Sequence, residues 1–205
     1  MDGVFMKVRF FAWLLLVAFS AVSLGAVETL WTQERLAEKT VRLHVVAHSD
    51  SEEDQAQKLA VRDAVLPVIG ELTADCSDAQ QARKILAEHL PEIQAAALTA
   101  SNGREVTASL TDEAFPTRYY ETFTLPAGTY PSLRIRIGAA RGHNWWCVVF
   151  PSLCAAATSD ALERCAAVGG FDETETELIT GGEETYEIRF KSFEWLQKLI
   201  DLLKN

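Results

Sequence analysis

No two cysteines form a CxxC pair, although the chain has four: Cys76, Cys147, Cys154 and Cys165. The paired spacing of a zinc ribbon is therefore missing, and a structural zinc site with it. Basic residues are scarce as well. The 19 Lys and Arg stand against 29 Asp and Glu, for a formal net charge of -10. No stretch gathers Lys and Arg into a patch, and an acidic surface without one repels nucleic acid. Internal repeats and long linkers are also absent, so 205 residues fit one domain plus a targeting segment. A hydrophobic content of 48% with 23% charged residues excludes disorder throughout.

Charge is missing altogether from Phe10 to Leu24, a run of 15 residues. Lys7 and Arg9 precede it, and the small residues Gly25 and Ala26 close it before Glu28. A basic start, an apolar middle and a small-residue end form the order of a signal sequence. Cleavage after Gly25 or Ala26 is one outcome. Retention is the other, since Phe10 to Val27 would be 18 residues, at the short end of what spans a bilayer. The run is apolar all round rather than striped, unlike a core helix. Either way the basic end stays cytoplasmic and the rest crosses. Residues 1–27 are thus read as signal peptide or membrane anchor and 28–205 as one extracytoplasmic domain, where disulfides are permitted.

Periodicity orders that domain. A short helix is expected over Thr29 to Lys39 and a strand over Val41 to Val46. Ser49, Asp50 and Ser51 are candidate helix caps, and Ser51 with Asp54 resembles a capping box. The helix they start should run to about Leu66, stopped by Pro67, with Ala56, Leu59, Ala60 and Ala64 as its apolar stripe, widened by Val61, Val65 and Val68. Asp78 should cap a helix from Ala79 to Leu90, and a further one covers Glu92 to Thr99. Ser101-Asn102-Gly103 is a turn. Arg104 to Thr111 alternates as a strand, as does Tyr130 to Ile137, with Leu133, Ile135 and Ile137 inward and Arg134 and Arg136 outward. Gly138 to Asn144 reads as a hairpin-like loop to a partner strand, Trp145 to Phe150. Ser159 or Asp160 should cap a helix to Val168. Residues 172–184, with six acids, read as an exposed loop, Tyr186 to Phe190 as a last strand and Ser192 to Leu203 as an amphipathic helix. Helices early and antiparallel strands later make an α+β domain, its mostly antiparallel or mixed sheet covered by helices.

Several side chains invite chemistry. His44 and His48 would share a face on extended backbone. A metal site needs three or four converging ligands, so the plainer reading is a polar strand edge, with Asp50 a cap rather than a base. Arg62 should pair with Asp50 or another acid across the fold; a direct pair with Asp63 is not expected, because adjacent helical residues diverge. His143, Asn144 and Cys147 suggest a thiol or cell-wall hydrolase using Cys147 and His143, which would need the two to meet. Cys147 in an apolar strand is otherwise core, or a disulfide partner of Cys154. Trp145 and Trp146 point to opposite faces of their strand. The one outside the core is a candidate interface anchor with His143, Asn144, Arg118, Arg134 and Arg136. The alternative is a solvated outer face.

Two blocks carry a resemblance. The first is Leu43-His44-Val45-Val46-Ala47-His48-Ser49-Asp50-Ser51, continuing through Asp54-Gln55 to Val61-Arg62-Asp63-Ala64-Val65-Leu66. The second holds Phe115-Pro116, Leu125-Pro126-Ala127-Gly128-Thr129-Tyr130 and Gly142-His143-Asn144-Trp145-Trp146-Cys147, running on to Pro151-Ser152-Leu153-Cys154. Behind one export segment, they resemble the stage II sporulation protein R family. His48 stands where that family usually carries Asn, and Glu121 where it carries Gly. The resemblance implies a signalling protein made in the forespore and released into the intermembrane space, or anchored in the forespore membrane facing it. Its implied partner is a membrane-embedded aspartic protease of the mother cell, which then processes the pro-form of the early mother-cell sigma factor. The chain would be the trigger and not an enzyme, and no cofactor is implied. A purely structural envelope protein is the third reading.

Overall fold

The computed structural model describes residues 31–155 and 158–180, together with positions 13 and 20. Most of the apolar run from Phe10 to Leu24, and the strand and helix expected after residue 185, lie outside the described residues. Among the described residues no helix is long and apolar enough to cross a membrane.

The strand pattern Val41-Arg42-Leu43-His44-Val45-Val46 forms β1 (Val41–Val46), and every residue of it is buried. A strand buried on both faces and both edges belongs at the centre of a sheet. It lies in a four-stranded sheet with β2 (Val106–Phe115), β5 (Gly128–Ile137) and β6 (Asn144–Phe150), in the order β2-β5-β1-β6. β1 runs parallel to β5 and antiparallel to β6, and β2 is antiparallel to β5. The sheet is therefore mixed. β5 and β6 are not the hairpin partners that the loop between them suggests, because β1 is inserted between them. The loop instead crosses the end of β1, where Arg141 N–H donates to the His48 carbonyl at 3.2 Å and Gly142 N–H to that of Ala47 at 3.0 Å. A small second sheet pairs β3 (Arg118–Tyr119) with β4 (Thr124–Leu125).

Three helices cover one side of the large sheet: α2 (Glu52–Thr73), α3 (Ala79–Glu88) and α4 (Leu90–Thr99). Leu43, Val45, Leu133, Ile135 and Ile137 pack there with Val61, Val65, Ile69, Leu86, Ile93 and Ala97. The caps are local and as expected. Asp54 N–H donates to Ser51 Oγ at 3.2 Å, and Gln81 N–H donates to Asp78 Oδ1 at 2.8 Å.

Two features of α2 differ from the expectation. It runs through Pro67 to Thr73. A proline inside a helix costs about 3 kcal/mol. Ile69 and Thr73 beyond it are buried, which offsets that cost. Pro67 also lies on the exposed side, where a carbonyl deprived of its donor can turn to water. The buried stripe is Asp54, Gln57, Lys58, Val61, Val65 and Ile69, so the expected Val61 and Val65 are in it, whereas Ala56, Leu59 and Ala60 face solvent. Polar side chains are buried there because each finds a partner. Gln57 Nε2 donates to the Ser101 carbonyl, Lys58 Nζ to that of His143 at 3.1 Å, and Asp54 meets Arg104 at 2.6 Å.

The other side of the sheet holds a second core of Leu36, Phe115, Leu125, Tyr130, Val148, Leu153, Leu162 and Leu178. Residues 31–38 (α1), α5 (Ser159–Val168) and α6 (Glu173–Thr180) contribute to it. Thr158, not Ser159 or Asp160, caps α5. α6 replaces most of the expected acidic loop. Asp172 and Glu175 exchange backbone-to-carboxylate bonds at 2.8 Å, and Glu175 is buried against Lys39 at 2.7 Å and Arg35 at 3.3 Å. Acids that look unpackable in sequence are neutralised by cations from a distant helix.

Candidate recognition face

Alternation along β1 sends Arg42, His44 and Val46 to the side opposite α2–α4. The register then sets a row across the sheet, with Ser109, Arg134, His44 and Trp146 side by side, and a second with Arg136, Val46 and Asn144. His44 is buried at the middle of the first row. Its Nδ1 lies 2.9 and 3.0 Å from the two Glu113 carboxylate oxygens, and its Nε2 lies 2.9 Å from Asn144 Oδ1. Held at both nitrogens, the ring cannot turn. Trp146 stacks on it with centroids 5.6 Å apart, and Phe115 meets it edge-on at 6.1 Å. The Arg118 guanidinium lies 3.6 Å from the Trp146 ring centroid, and Arg134 comes within 3.8 Å of Glu113. Half-buried Trp146 thus has a cation over it, an attraction of order 0.5–2 kcal/mol. Arg136 and Asn144 are exposed beside this cluster.

Trp145 faces the other way, against the main core, with Arg62 5.1 Å from its ring centroid. Arg62 also bonds Asp63, Nε to Oδ1, at 2.7 Å. This is the adjacent pairing the helical geometry argued against: the Cβ directions diverge, but a guanidinium is long enough to fold back. That contact holds the Asp63 carboxyl below its usual range.

The loop after β5 is strapped to the turn before α2. His143 N–H and its ring Nδ1 both meet Asp50 Oδ1, at 2.6 and 2.5 Å, and Ala139 N–H donates to His48 Nδ1 at 3.0 Å. Gly142 passes so close that an added Cβ would run into the Ser49 carbonyl. Asp50 is therefore a loop anchor, and the cap is Ser51. Ser49 Oγ donates to Asp54 Oδ2 at 2.5 Å, and that bond chiefly holds the Asp54 carboxyl below its usual value. His48 serves the loop while His44 serves the sheet face, so the two do not converge. Among the described residues no group of three His, Cys, Asp or Glu could hold a metal ion.

Below His44 the same face is aromatic. Phe115, the last residue of β2, pairs in register with Gly128, and exposed Pro116 follows it out of the strand. An added Cβ at Gly128 would sit 3.2 Å from the Tyr130 ring. The Arg42 guanidinium lies 3.9 Å over Phe115, and its Nη2 donates to Tyr120 Oη at 3.1 Å. Burial pushes the Tyr120 phenol up to about 12, so it stays protonated at neutral pH. Arg42, Glu113, Tyr120 and Tyr130 escape a reading of the sequence. The available signal was two polar residues, Arg42 and His44, at alternate positions of an otherwise apolar strand.

The structure does not bring Cys147 and His143 together. His143 is exposed beside Asp50, whereas Cys147 is buried within β6 and donates to the Val148 carbonyl at 3.5 Å. Cys154 does come beside Cys147. Both are free thiols here, and Val148 N–H donates to Cys154 Sγ at 3.0 Å.

A family model described as stage II sporulation protein R matches residues 37–160. That span encloses β1 to β6 and α2–α4. Stage II sporulation protein R of Bacillus subtilis (strain 168) is 34% identical over 148 residues, covering 68% of this chain and 66% of that protein. The chain therefore spans just under two thirds of that relative's length. No solved structure matches.

Proposed function

This chain belongs to the stage II sporulation protein R family, and we propose that it acts as an exported trigger in endospore formation. Family membership supports a role in sporulation signalling. In the finer reading, residues 1–27 take residues 28–205 from the forespore into the intermembrane space, or hold them in the forespore membrane facing it. There the domain binds a membrane-embedded aspartic protease of the mother cell, which then processes the pro-form of the early mother-cell sigma factor. Binding activates only by favouring the active state over the inactive one. The contact set proposed is Trp146 beneath Arg118, flanked by His143, Asn144, Arg134 and Arg136, since aromatic and arginine anchors dominate interfaces.

The observation that carries this reading is the family match from residue 37 to residue 160, which takes in both the His44 face and the strapped loop. The test is co-expression of the full chain with the protease and its pro-sigma substrate in a host that does not sporulate. Processing should occur only when all three are present. Processing without the chain would overturn the trigger role, as would cleavage that persists when the protease's catalytic aspartates are replaced. Fractionation tests the export step separately: full-length protein in the soluble cytosol with its leader intact would refute it.

A further inference from the structure

Among the described residues β6 is an edge strand, with no strand beyond it for its outward backbone N–H groups to bond. After Phe150 the chain turns back, and the short 3-10 helix Leu153–Ala155 returns Cys154 to that edge. Val148 N–H donates to the Cys154 sulfur at 3.0 Å, and the Cys147 thiol donates to the Val148 carbonyl at 3.5 Å, so the two sulfurs meet at one residue's backbone. Directly across the ladder from Val148 stands Arg42. Its side chain is 0% exposed, and its Nε and Nη1 have no hydrogen-bond partner among the described residues. No carboxylate among them forms an ion pair with it, and its contacts are the Tyr120 hydroxyl and the Phe115 and Tyr130 rings. A buried cation without an anion is costly. Of the ionisable groups around it, burial keeps the Tyr120 phenol neutral, and the Cys154 thiol is the one held below its ordinary range.

We propose that Cys154 is a nucleophilic thiolate site for disulfides, with Arg42 as its counter-ion and Cys147 as the thiol that completes the exchange. The two sulfurs are unequal in the way this needs. The neighbouring Cys147 thiol, the Val148 N–H and the Arg42 charge hold the thiol of Cys154, an exposed residue, below its ordinary range. The Cys154 sulfur beside it, together with burial, pushes the Cys147 thiol up. The attacking group in thiol–disulfide exchange is the thiolate.

The exchange balances as follows. The Cys154 thiolate attacks one sulfur of an external disulfide, forming a mixed disulfide and releasing one thiolate. Cys147 passes its proton to that departing thiolate and attacks the Cys154 sulfur. The second half of the reagent leaves as a thiolate. Cys147 and Cys154 end as a disulfide, oxidised by two electrons in all, and the external disulfide ends as one thiol and one thiolate. This chemistry does not depend on the signalling role.

The test uses the full chain, reduced and then freed of reductant, with 5,5'-dithiobis(2-nitrobenzoate) as the disulfide. At pH 6.5 a fast phase should release two equivalents of the coloured thiolate per chain. Peptide mapping should then find Cys147 joined to Cys154 and no reagent on either. Cys147→Ser should release one equivalent and keep the reagent on Cys154. Arg42→Met should slow the fast phase by about tenfold at pH 6.5 and much less at pH 9, because the thiolate fraction falls. The rate–pH profile of the unsubstituted chain should have its midpoint below the ordinary thiol value of about 8.5. If Arg42→Met does not fold, that profile decides alone. A midpoint at or above 8.5, a fast phase carried by Cys76 or Cys165, or a lasting Cys154 adduct in the unsubstituted chain would each overturn the proposal.

Discussion

On one side of the sheet Leu43, Val45, Leu133 and Ile135 meet the apolar faces of α2, α3 and α4. One residue along each strand, on the other side, Arg42, His44, Glu113 and Arg134 stand among Phe115, Tyr130 and Trp146. Both sides are largely buried, but different physics holds them. Apolar burial is non-directional and contributes roughly 25 cal/mol per Å², so it tolerates any shape that fills the space. The His44 side depends on directed contacts, in which each ring or guanidinium must meet a particular partner. A one-residue slip of β1 would exchange the two sets and ruin both. The contrast teaches that the first side stabilises the fold, while the second fixes the positions of particular groups.

Replacing Ile135 by Ala tests the first half of that contrast and should have the largest effect. It removes a fully buried side chain, and about 2–5 kcal/mol of stability should go with it in a urea titration. A loss below about 1 kcal/mol would mean the helix side is not the main support. His44→Ala should cost less, about 2 kcal/mol, mostly by stranding Glu113 and Asn144 without their ring partner. It should also change Trp146 fluorescence, which Ile135→Ala should leave largely unaltered. An equal loss from the two variants would break the distinction.

The helix side also has polar contacts, at the start of α2. Ser51→Ala should cost about 1 kcal/mol by removing the cap. Asp54 adds a pH dependence. Its folded pKa lies below the ordinary 3.8, so its contribution is full well above 3.8 and fades as pH falls through the lower folded value. Asp54→Asn should flatten the acid limb of the stability–pH curve; an unchanged limb would refute the assignment. The smallest effect should come from Arg136→Ala, whose exposed side chain supports neither core. Stability should shift by less than about 0.5 kcal/mol. If processing by the partner protease falls with it, the second side is a contact surface as well as a scaffold.

Some of this was legible in the residues. The Ser51 and Asp78 caps bond donors three residues away. The Ser101-Asn102-Gly103 turn needs only the left-handed φ of Asn102 and Gly103. The two blocks carrying the family resemblance were visible too. That they touch, through Asp50 and His143 or His44 and Asn144, was not. α6 shows why. Its acids are unfavourable until Arg35 and Lys39 arrive from a helix far away in the chain. Pro67 reads as a stop because the cost is local, whereas the burial that offsets it is tertiary.

What the sequence by itself determined is local and periodic: which residues of β1, β5 and β6 share a side, where α2 and α3 begin, and which family the chain resembles. Alternation and capping act over a few residues, so one sequence suffices to see them. Only the tertiary structure decided that β1 lies between β5 and β6, that Glu113 and Asn144 close on His44, and that Arg42 is buried across from Val148, whose N–H meets Cys154. Those pairings join residues up to about a hundred positions apart. Hydrophobic burial specifies that such surfaces must meet something, but it is non-directional, and the partner is selected only when every strand competes for the same sheet.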